Sequence, residues 1–331
     1  MSKQSTKLSS ATAQASPNIA LIKYWGNRDH ALRIPANGSI SITLGDLLTI
    51  TRVTPDPSLE RDQLEINGAA PSESARDRAS QLLNEIRSRA KVDIYARIES
   101  QNNFPMGAGI ASSASAFAAL TMAACEAYGV QLDTTSLSRL ARRASGSAAR
   151  SLFPGFVELH SSGEDNGAYA ESLHAPDHWD LIDVIAVVDT DHKSVSSSDG
   201  HILADTSPLQ TTRVADTPRR LDLCRQALAK RDFTLLAKIT ELDSNLMHSV
   251  MMTSSPPLLY WQSSTVTIMK AIERWRLDGL DVCYTIDAGP NVHCICTTSS
   301  SEEVKHRLDS LGVILQTYVS SAGPGAMLVS S

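Results

Sequence analysis

The order of sequence patterns predicts an α+β fold. In the first half a block of strand-like alternation precedes a block of helical periodicity. In the second half long helical stretches precede the closing strands, so strands and helices do not alternate one for one as a doubly wound parallel sheet requires. Size agrees: 331 residues with 42% hydrophobic and 20% charged content can bury a sizeable core as one large or two ordinary domains.

The elements follow in order. Alternation in Ser39-Ile40-Ser41-Ile42-Thr43-Leu44 and in Leu48-Thr49-Ile50-Thr51-Arg52-Val53 predicts two half-buried strands, and Leu64-Glu65-Ile66 runs into Asn67-Gly68, a hairpin signal. A helix over 72–89 comes next, then a strand over 92–98 leading into a glycine-rich segment. Helices over 112–128 and 134–143 follow, with Gly129 as the stop of the first. A strand over 153–159 precedes the polar insert 161–167, read as a surface hairpin. The apolar strand 181–188 opens a second unit, dividing the chain into 1–180 and 181–331. One long helical stretch over 219–252, a helix started by Pro256-Pro257 and reaching 278, strands over 282–286 and 292–296, a helix over 302–311 and a strand over 313–319 complete it.

Composition narrows the function. A net charge of −6 provides no global positive field for nucleic acid, so any anionic ligand must be met by local charges. No apolar run reaches the roughly 18–20 residues that span a bilayer, and the polar start Met1-Ser2-Lys3-Gln4 lacks the apolar centre of a signal peptide. No membrane partner and a cytoplasmic location are the expectations. The five cysteines include no CxxC pair; Cys294 and Cys296 are expected to share one face of a strand as buried thiols. No HExxH spacing or Ser-His-Asp pairing is evident among the nine histidines.

Five polar segments carry the chemistry. In Phe104-Pro105-Met106-Gly107-Ala108-Gly109-Ile110-Ala111-Ser112-Ser113, small residues let backbone approach a ligand, and two serines open an Ala-rich helix, as a phosphate site requires. The segment is neither a Walker A nor a GxGxxG turn, and tight packing is its alternative reading. In Asn18-Ile19-Ala20-Leu21-Ile22-Lys23-Tyr24-Trp25-Gly26 an ammonium sits among apolar residues, so Lys23 either needs an anionic partner or snorkels from a strand edge. Ser145-Gly146-Ser147 with Arg150 forms an anion cradle or a capped helix junction. Asp287 ends a strand before Ala288-Gly289-Pro290, where an acid faces a cleft or caps a turn. The run 191–200 suits a hydroxyl-lined lid or a plain polar loop.

Together, and in this order, these segments resemble the mevalonate diphosphate decarboxylase family of the GHMP kinase superfamily, over nearly the whole chain. The resemblance implies a GHMP kinase fold: a ribosomal-S5-domain-2-like amino-terminal half, a ferredoxin-like carboxyl-terminal half, a cleft between them and usually a homodimer. It implies that ATP, with Mg2+, phosphorylates the C3 hydroxyl of a phosphorylated mevalonate, after which phosphate and CO2 leave. By motif, Asp287 orients or accepts the hydroxyl proton, Lys23 is the cation beside it, and Arg150, helped by Asn18, holds the substrate carboxylate. Tyr24, Ser145, Ser147 and Ser197 lie near substrate. Gly107, Ala108, Gly109, Ser112 and Ser113 cradle ATP, Ser113 serves the metal, and Arg78 lies on the nucleotide side.

One position departs from the pattern. Diphosphate-specific members commonly read Lys-Tyr-Trp-Gly-Lys, whereas this chain ends the motif at Asn27. Losing a charge-assisted bond of about 1.5–3 kcal/mol changes affinity roughly ten- to hundredfold. The expectation is therefore mevalonate 5-phosphate as substrate and isopentenyl phosphate as product, unless Arg28 compensates. The alternatives are mevalonate 5-diphosphate giving isopentenyl diphosphate, a 3-kinase without decarboxylation, and a catalytically silent nucleotide-binding regulator.

Overall fold

The computed structural model describes residues 8–104, 112–190 and 195–329. Its first half runs β1 (Ala11–Ala15), β2 (Asn18–Ile22), β3 (Asn27–Asp29), β4 (Ile34–Pro35), β5 (Ser39–Thr43), β6 (Thr49–Pro55) and β7 (Gln63–Ile66). Then come α1 (Glu73–Ala90), β8 (Ala96–Asn102), α2 (Ser112–Ala127), α3 (Thr134–Ala144), α4 (Ala148–Ser151), β9 (Phe156–Leu159) and β10 (Ala170–His174). The second half runs β11 (Leu181–Val187), α5 (Ser197–Leu203), α6 (Gln210–Lys230), α7 (Phe233–Met252) and α8 (Ser263–Leu277). It closes with β12 (Val282–Thr285), β13 (Val292–Thr297), α9 (Thr298–Asp309), β14 (Gln316–Ser321) and β15 (Met327–Val329).

Three larger sheets organise these elements, β15-β1-β6-β8-β7, β10-β9-β5-β2 and β12-β13-β11-β14, and β3 pairs with β4 in a small two-stranded one. All pairings are antiparallel except β7 with β8. The mixed order therefore gives the expected α+β architecture. Helix α2 packs on β1 and β6 with Ala114, Ala118, Ala119, Ala123, Ala124 and Ala127 buried, so small side chains let it lie close to the sheet. Being predominantly apolar, it is enclosed by α1, α3 and α4 as well as by the sheet. A single core cluster joins β2 and β5 of the first half to β11, α6 and α7 of the second. That shared core fixes the ends of β2 and β12 relative to each other. Among the described residues no helix is long and apolar enough to cross a membrane.

Several boundaries differ from the sequence reading. The stretch 219–252 is two helices, because Arg231 turns left-handed (φ 54°) and the Asp232 side chain caps α7 by accepting from Leu235 N–H at 3.0 Å. Pro256-Pro257 stay outside α8, which a Gln262/Thr265 capping box starts instead. Strands β1 and β2 are additional to the sequence reading: β1 is a short alternation, Ala-Thr-Ala-Gln-Ala, closed off by Pro17, and β2 is buried throughout, without alternation. Strand β8 starts at Ala96, four residues later than expected from the apolar run. Asn67-Gly68 does form a tight turn, with both residues at positive φ, but β7 pairs in parallel with β8. The 161–167 insert does connect the β9–β10 hairpin; unforeseen is that Arg139, Arg142 and Arg143 of α3 all grip Asp165 within it. Cys294 and Cys296 are buried as expected.

Candidate active site

Two strand ends create the centre. Strand β2 runs out at Lys23 and β12 leads through Ile286 to Asp287, and the Lys23 Nζ lies 2.5 Å from Asp287 Oδ1. The lysine is 1% exposed and the aspartate 28%, which excludes a snorkelling lysine and leaves the carboxylate facing the cavity. Burial pulls the Lys23 pKa down, opposed by the charge and hydrogen bond of Asp287.

Helix α7 sets this geometry. Its Asp243 accepts the Lys23 backbone N–H at 2.6 Å, while Arg213 and Asn37 each donate to the Lys23 carbonyl at 2.8 Å. The next residue, Ser244, accepts the Ile286 N–H through Oγ at 3.0 Å, and His248, just over a turn further on, donates from Nε2 to the Ile286 carbonyl at 3.2 Å. The Thr285 hydroxyl bonds the Ala20 carbonyl at 3.0 Å, tying the two strands directly. Asp243 is fully buried and compensated by Arg220 at 2.6 Å. None of this clamp stood out in the sequence. Its only signal there is the polar set Asp243, Ser244 and His248 inside an otherwise apolar helix face.

Arg150 is buried, which rules out the solvent-facing reading. Its Nε donates to Asn18 Oδ1 at 3.1 Å and its Nη1 to Ser39 Oγ at 2.7 Å, and Asn18 is itself held by Ser151 Oγ at 2.8 Å. Asn18 therefore acts by aiming the guanidinium. Burial lowers the Arg150 pKa to about 10, so it remains a cation near neutrality. Gly146 allows its turn to lie on the Tyr24 ring, since a Cβ there would stand 2.4 Å from a ring carbon. Ser145 and Ser147 place their hydroxyls 3.3 Å apart beside it.

Lys23, Asp287, Arg150, Asn18, Tyr24, Ser145 and Ser147 line one cavity of about 400 Å3, together with Ser196–Ser198, Ser112, Ser113, Ser72 and Arg78. Ser197 stands on the first turn of α5, so the described part of the expected lid is helical; residues 191–194 lie outside the described residues, as do Gly107, Ala108 and Gly109. Ser72, Arg78, Ser112 and Ser113 also border a second, apolar cavity of about 350 Å3 walled by Leu64, Ile66, Ile98, Phe117 and Leu120. The Arg78 guanidinium sits 4.9 Å over the Phe117 ring at this seam.

The structure revises two sequence-based ideas and adds two residues. Asn27 does not border the cavity: it is buried and its amide oxygen accepts the Tyr24 hydroxyl, so its neutrality does not remove a contact from the cavity wall. Arg28 lines a different cavity and donates to the Ala36 carbonyl, so it is not the compensating cation. Arg33 and His201, unnoticed in the sequence, do line the site. His201 Nδ1 accepts the Gly26 N–H at 2.9 Å between the Tyr24 and Trp25 rings, and burial lowers its pKa to about 3, so it is neutral there.

A polyphosphate and its metal fit this donor set. Hydroxyls and cations flank the seam, and among the described residues no group of three His, Cys, Asp or Glu forms a cation cage. That suits Mg2+ carried chiefly on phosphate oxygens.

Comparison with known proteins extends the reading. A family model described as diphosphomevalonate decarboxylase-like N-terminal domain matches residues 15–170, and one described as mevalonate 5-diphosphate decarboxylase C-terminal domain matches residues 183–322. A diphosphomevalonate decarboxylase of Candida albicans is 38% identical over 299 residues, covering 85% of this chain and 83% of its own. Mevalonate diphosphate decarboxylase from Staphylococcus aureus is 35% identical with a TM-score of 0.93, covering 98% and 99% of the two chains. A solved structure described as MDDEF in complex with MVAPP, AMPPCP and magnesium is 34% identical with a TM-score of 0.92, covering 98% and 100%. These likenesses span both halves, and the three-sheet architecture is that of the GHMP kinase fold.

Proposed function

The chain belongs to the diphosphomevalonate decarboxylase family and is an ATP-dependent decarboxylase, and from that premise we propose that it converts mevalonate 5-diphosphate to isopentenyl diphosphate. The observation that carries the reading is the 2.5 Å Lys23–Asp287 pair in a cavity that also contains Arg150 and the Ser112/Ser113 seam.

Asp287 takes the proton of the C3 hydroxyl as its oxygen attacks the γ-phosphorus of ATP and ADP departs. Lys23 keeps the carboxylate ionised and aimed, and stabilises the charge gathering on the transferred group. Arg150, fixed by Asn18 and Ser39, holds the substrate carboxylate away from the new C3 phosphate. The electron pair of the carboxylate–carbon bond then becomes the C=C bond, CO2 is released, and the C3–O bond breaks with phosphate as leaving group. Ser112, Ser113, Ser72 and Arg78 receive the ATP phosphates, and the apolar cavity walled by Phe117 and Leu120 receives the base. Ser113, with the phosphate oxygens of ATP, would hold Mg2+, which when bound would supply charge neutralisation for the transfer.

The relatives' names, and the MVAPP in the solved complex, favour the diphosphate over the 5-phosphate preference expected from Asn27. The 5-phosphate reading keeps one observation in its favour, the missing lysine at position 27. Measuring kcat/KM for both esters, with ADP, phosphate and CO2 followed together, tests the proposal. Faster turnover of the diphosphate with one CO2 per ADP is expected. Preference for the monophosphate reverses the substrate assignment, and ADP without CO2 leaves a 3-kinase.

A further inference from the structure

We propose that Arg33 receives the terminal phosphate of the 5-phosphorylated substrate and sets the preference for diphosphate over monophosphate. The inference rests on the decarboxylase reading above and adds a residue to it. Arg33 lies in the turn between β3 and β4 and lines the same cavity as Lys23, Asp287 and Arg150. Among the described residues it enters no ion pair. A guanidinium in that situation calls for an anion, and its planar fork suits phosphate.

Its placement is built. The backbone is left-handed at φ 49°, a conformation a non-glycine residue keeps only when its surroundings hold it, and Nε donates to the Arg143 carbonyl at 3.1 Å. That bond uses one donor at the base of the guanidinium. The Arg33 charge also reaches the groups around the cavity. Burial pushes the Tyr24 phenol up to about 12, and Arg33 is the strongest opposing charge. Burial lowers Arg78, with Arg33 the next cause, so two like charges act across one cavity.

Arg33 shares the cavity wall with Tyr24, whose hydroxyl bonds the amide at position 27, where diphosphate-specific relatives commonly carry lysine. From the β3–β4 turn it brings a cation to the cavity wall, which position 27 does not border.

The test compares wild type with Arg33→Gln and Arg33→Lys, measuring kcat and KM for mevalonate 5-diphosphate, mevalonate 5-phosphate and ATP. Arg33→Gln should lower kcat/KM for the diphosphate about 10- to 100-fold, mainly through KM, because one charge-assisted phosphate contact is lost. The monophosphate and ATP constants should hardly move. Arg33→Lys should retain part of the preference. An equal fall for both esters, or a change confined to the ATP KM, overturns the assignment. Wild type releasing no CO2 from either ester instead removes the functional reading beneath it, whereas an active wild type beside an unaffected Arg33→Gln removes Arg33 alone.

Discussion

Replacing Asp287 by Asn probes the Lys23–Asp287 pair most directly. The substitution keeps the side chain's shape but removes the negative charge 2.5 Å from a lysine that is 1% exposed. Taking one partner from a buried ion pair costs about 3–5 kcal/mol. Because Asp287 is 28% exposed, solvent screens part of that loss and the lower end applies.

Lys23 has an escape, deprotonation, and this gives the experiment its sign. Its folded pKa already lies below 10.5 because of burial, so the unfolded chain holds more protons between the folded pKa and 10.5, and stability from this group rises with pH across that window. Removing Asp287 deletes the main influences that raise the pKa and extends the window downward. The stability gap between wild type and Asp287→Asn should therefore be wider near about pH 6 than near about pH 9. Turnover should fall about 10²- to 10⁴-fold, the usual contribution of a placed general base. Unfolding in denaturant across pH and CO2 release at saturating ATP measure the two effects. Lys23→Met completes a cycle: the Lys23→Met/Asp287→Asn double variant should recover stability relative to Asp287→Asn and remain inactive. Turnover in Asp287→Asn within about threefold of wild type, in a folded protein, would falsify the proton-accepting role.

Two further predictions concern residues behind the site. Asp243→Asn takes from buried Arg220 its buried carboxylate partner, leaving only the half-exposed Asp216, and loosens the Lys23 backbone, so stability should drop by about 3 kcal/mol and kcat should fall while the KM for ATP stays put. Denaturant unfolding beside steady-state kinetics would separate this from mere unfolding, and unchanged kcat in a destabilised but folded variant would reduce Asp243 to a core residue. His201, lowered by burial to about 3 from 6.5, takes up its proton on unfolding between those values, so it withdraws stability as pH falls through that window. His201→Gln, which keeps an acceptor for the Gly26 N–H, should flatten the loss of Tm between about pH 6 and about pH 4. An equally steep loss in the variant would assign the acid sensitivity to other groups.

How much of this was legible in sequence depends on the range over which each signal acts. Alternation exposed β5 and β6, although only β6 is half-buried as expected and β5 is covered on both faces, and local small-residue chemistry exposed the start of α2 and the turn around Gly146. Strand β2 was opaque because both its faces are covered, which erases the period of two. Lys23 announced a need for a partner, and the motif resemblance named Asp287, but spacing alone could not join residues 264 positions apart. The break at Arg231 was hidden because nothing in an arginine announces a left-handed backbone. The α7 clamp was equally hidden: Asp243, Ser244 and His248 read as polar interruptions until the strands they hold lie against them. Asn27 is the converse case. Its identity was legible, but which way its amide turned was a matter of packing against Tyr24.

The balance of charge explains why an acidic protein can take a multiply anionic substrate and ATP. The chain carries a net charge of −6, yet the cavity's described lining presents four cations, Lys23, Arg33, Arg78 and Arg150, against the single carboxylate of Asp287. Low-dielectric walls concentrate that local field, whereas the surrounding negative surface repels any polyanion too long to enter. The same enclosure makes each cation costly to bury. Arg150 meets that cost with Asn18 and Ser39, and Lys23 meets it with Asp287. Arg33 and Arg78 meet it only in part, through the Arg143 and Ser74 carbonyls. The two least compensated cations are therefore where bound phosphate gains most, one on the substrate side and one on the nucleotide side. Asp287 stands among these charges as the one lining carboxylate, which is the position a proton acceptor needs if neighbouring cations are to keep it ionised while phosphate approaches.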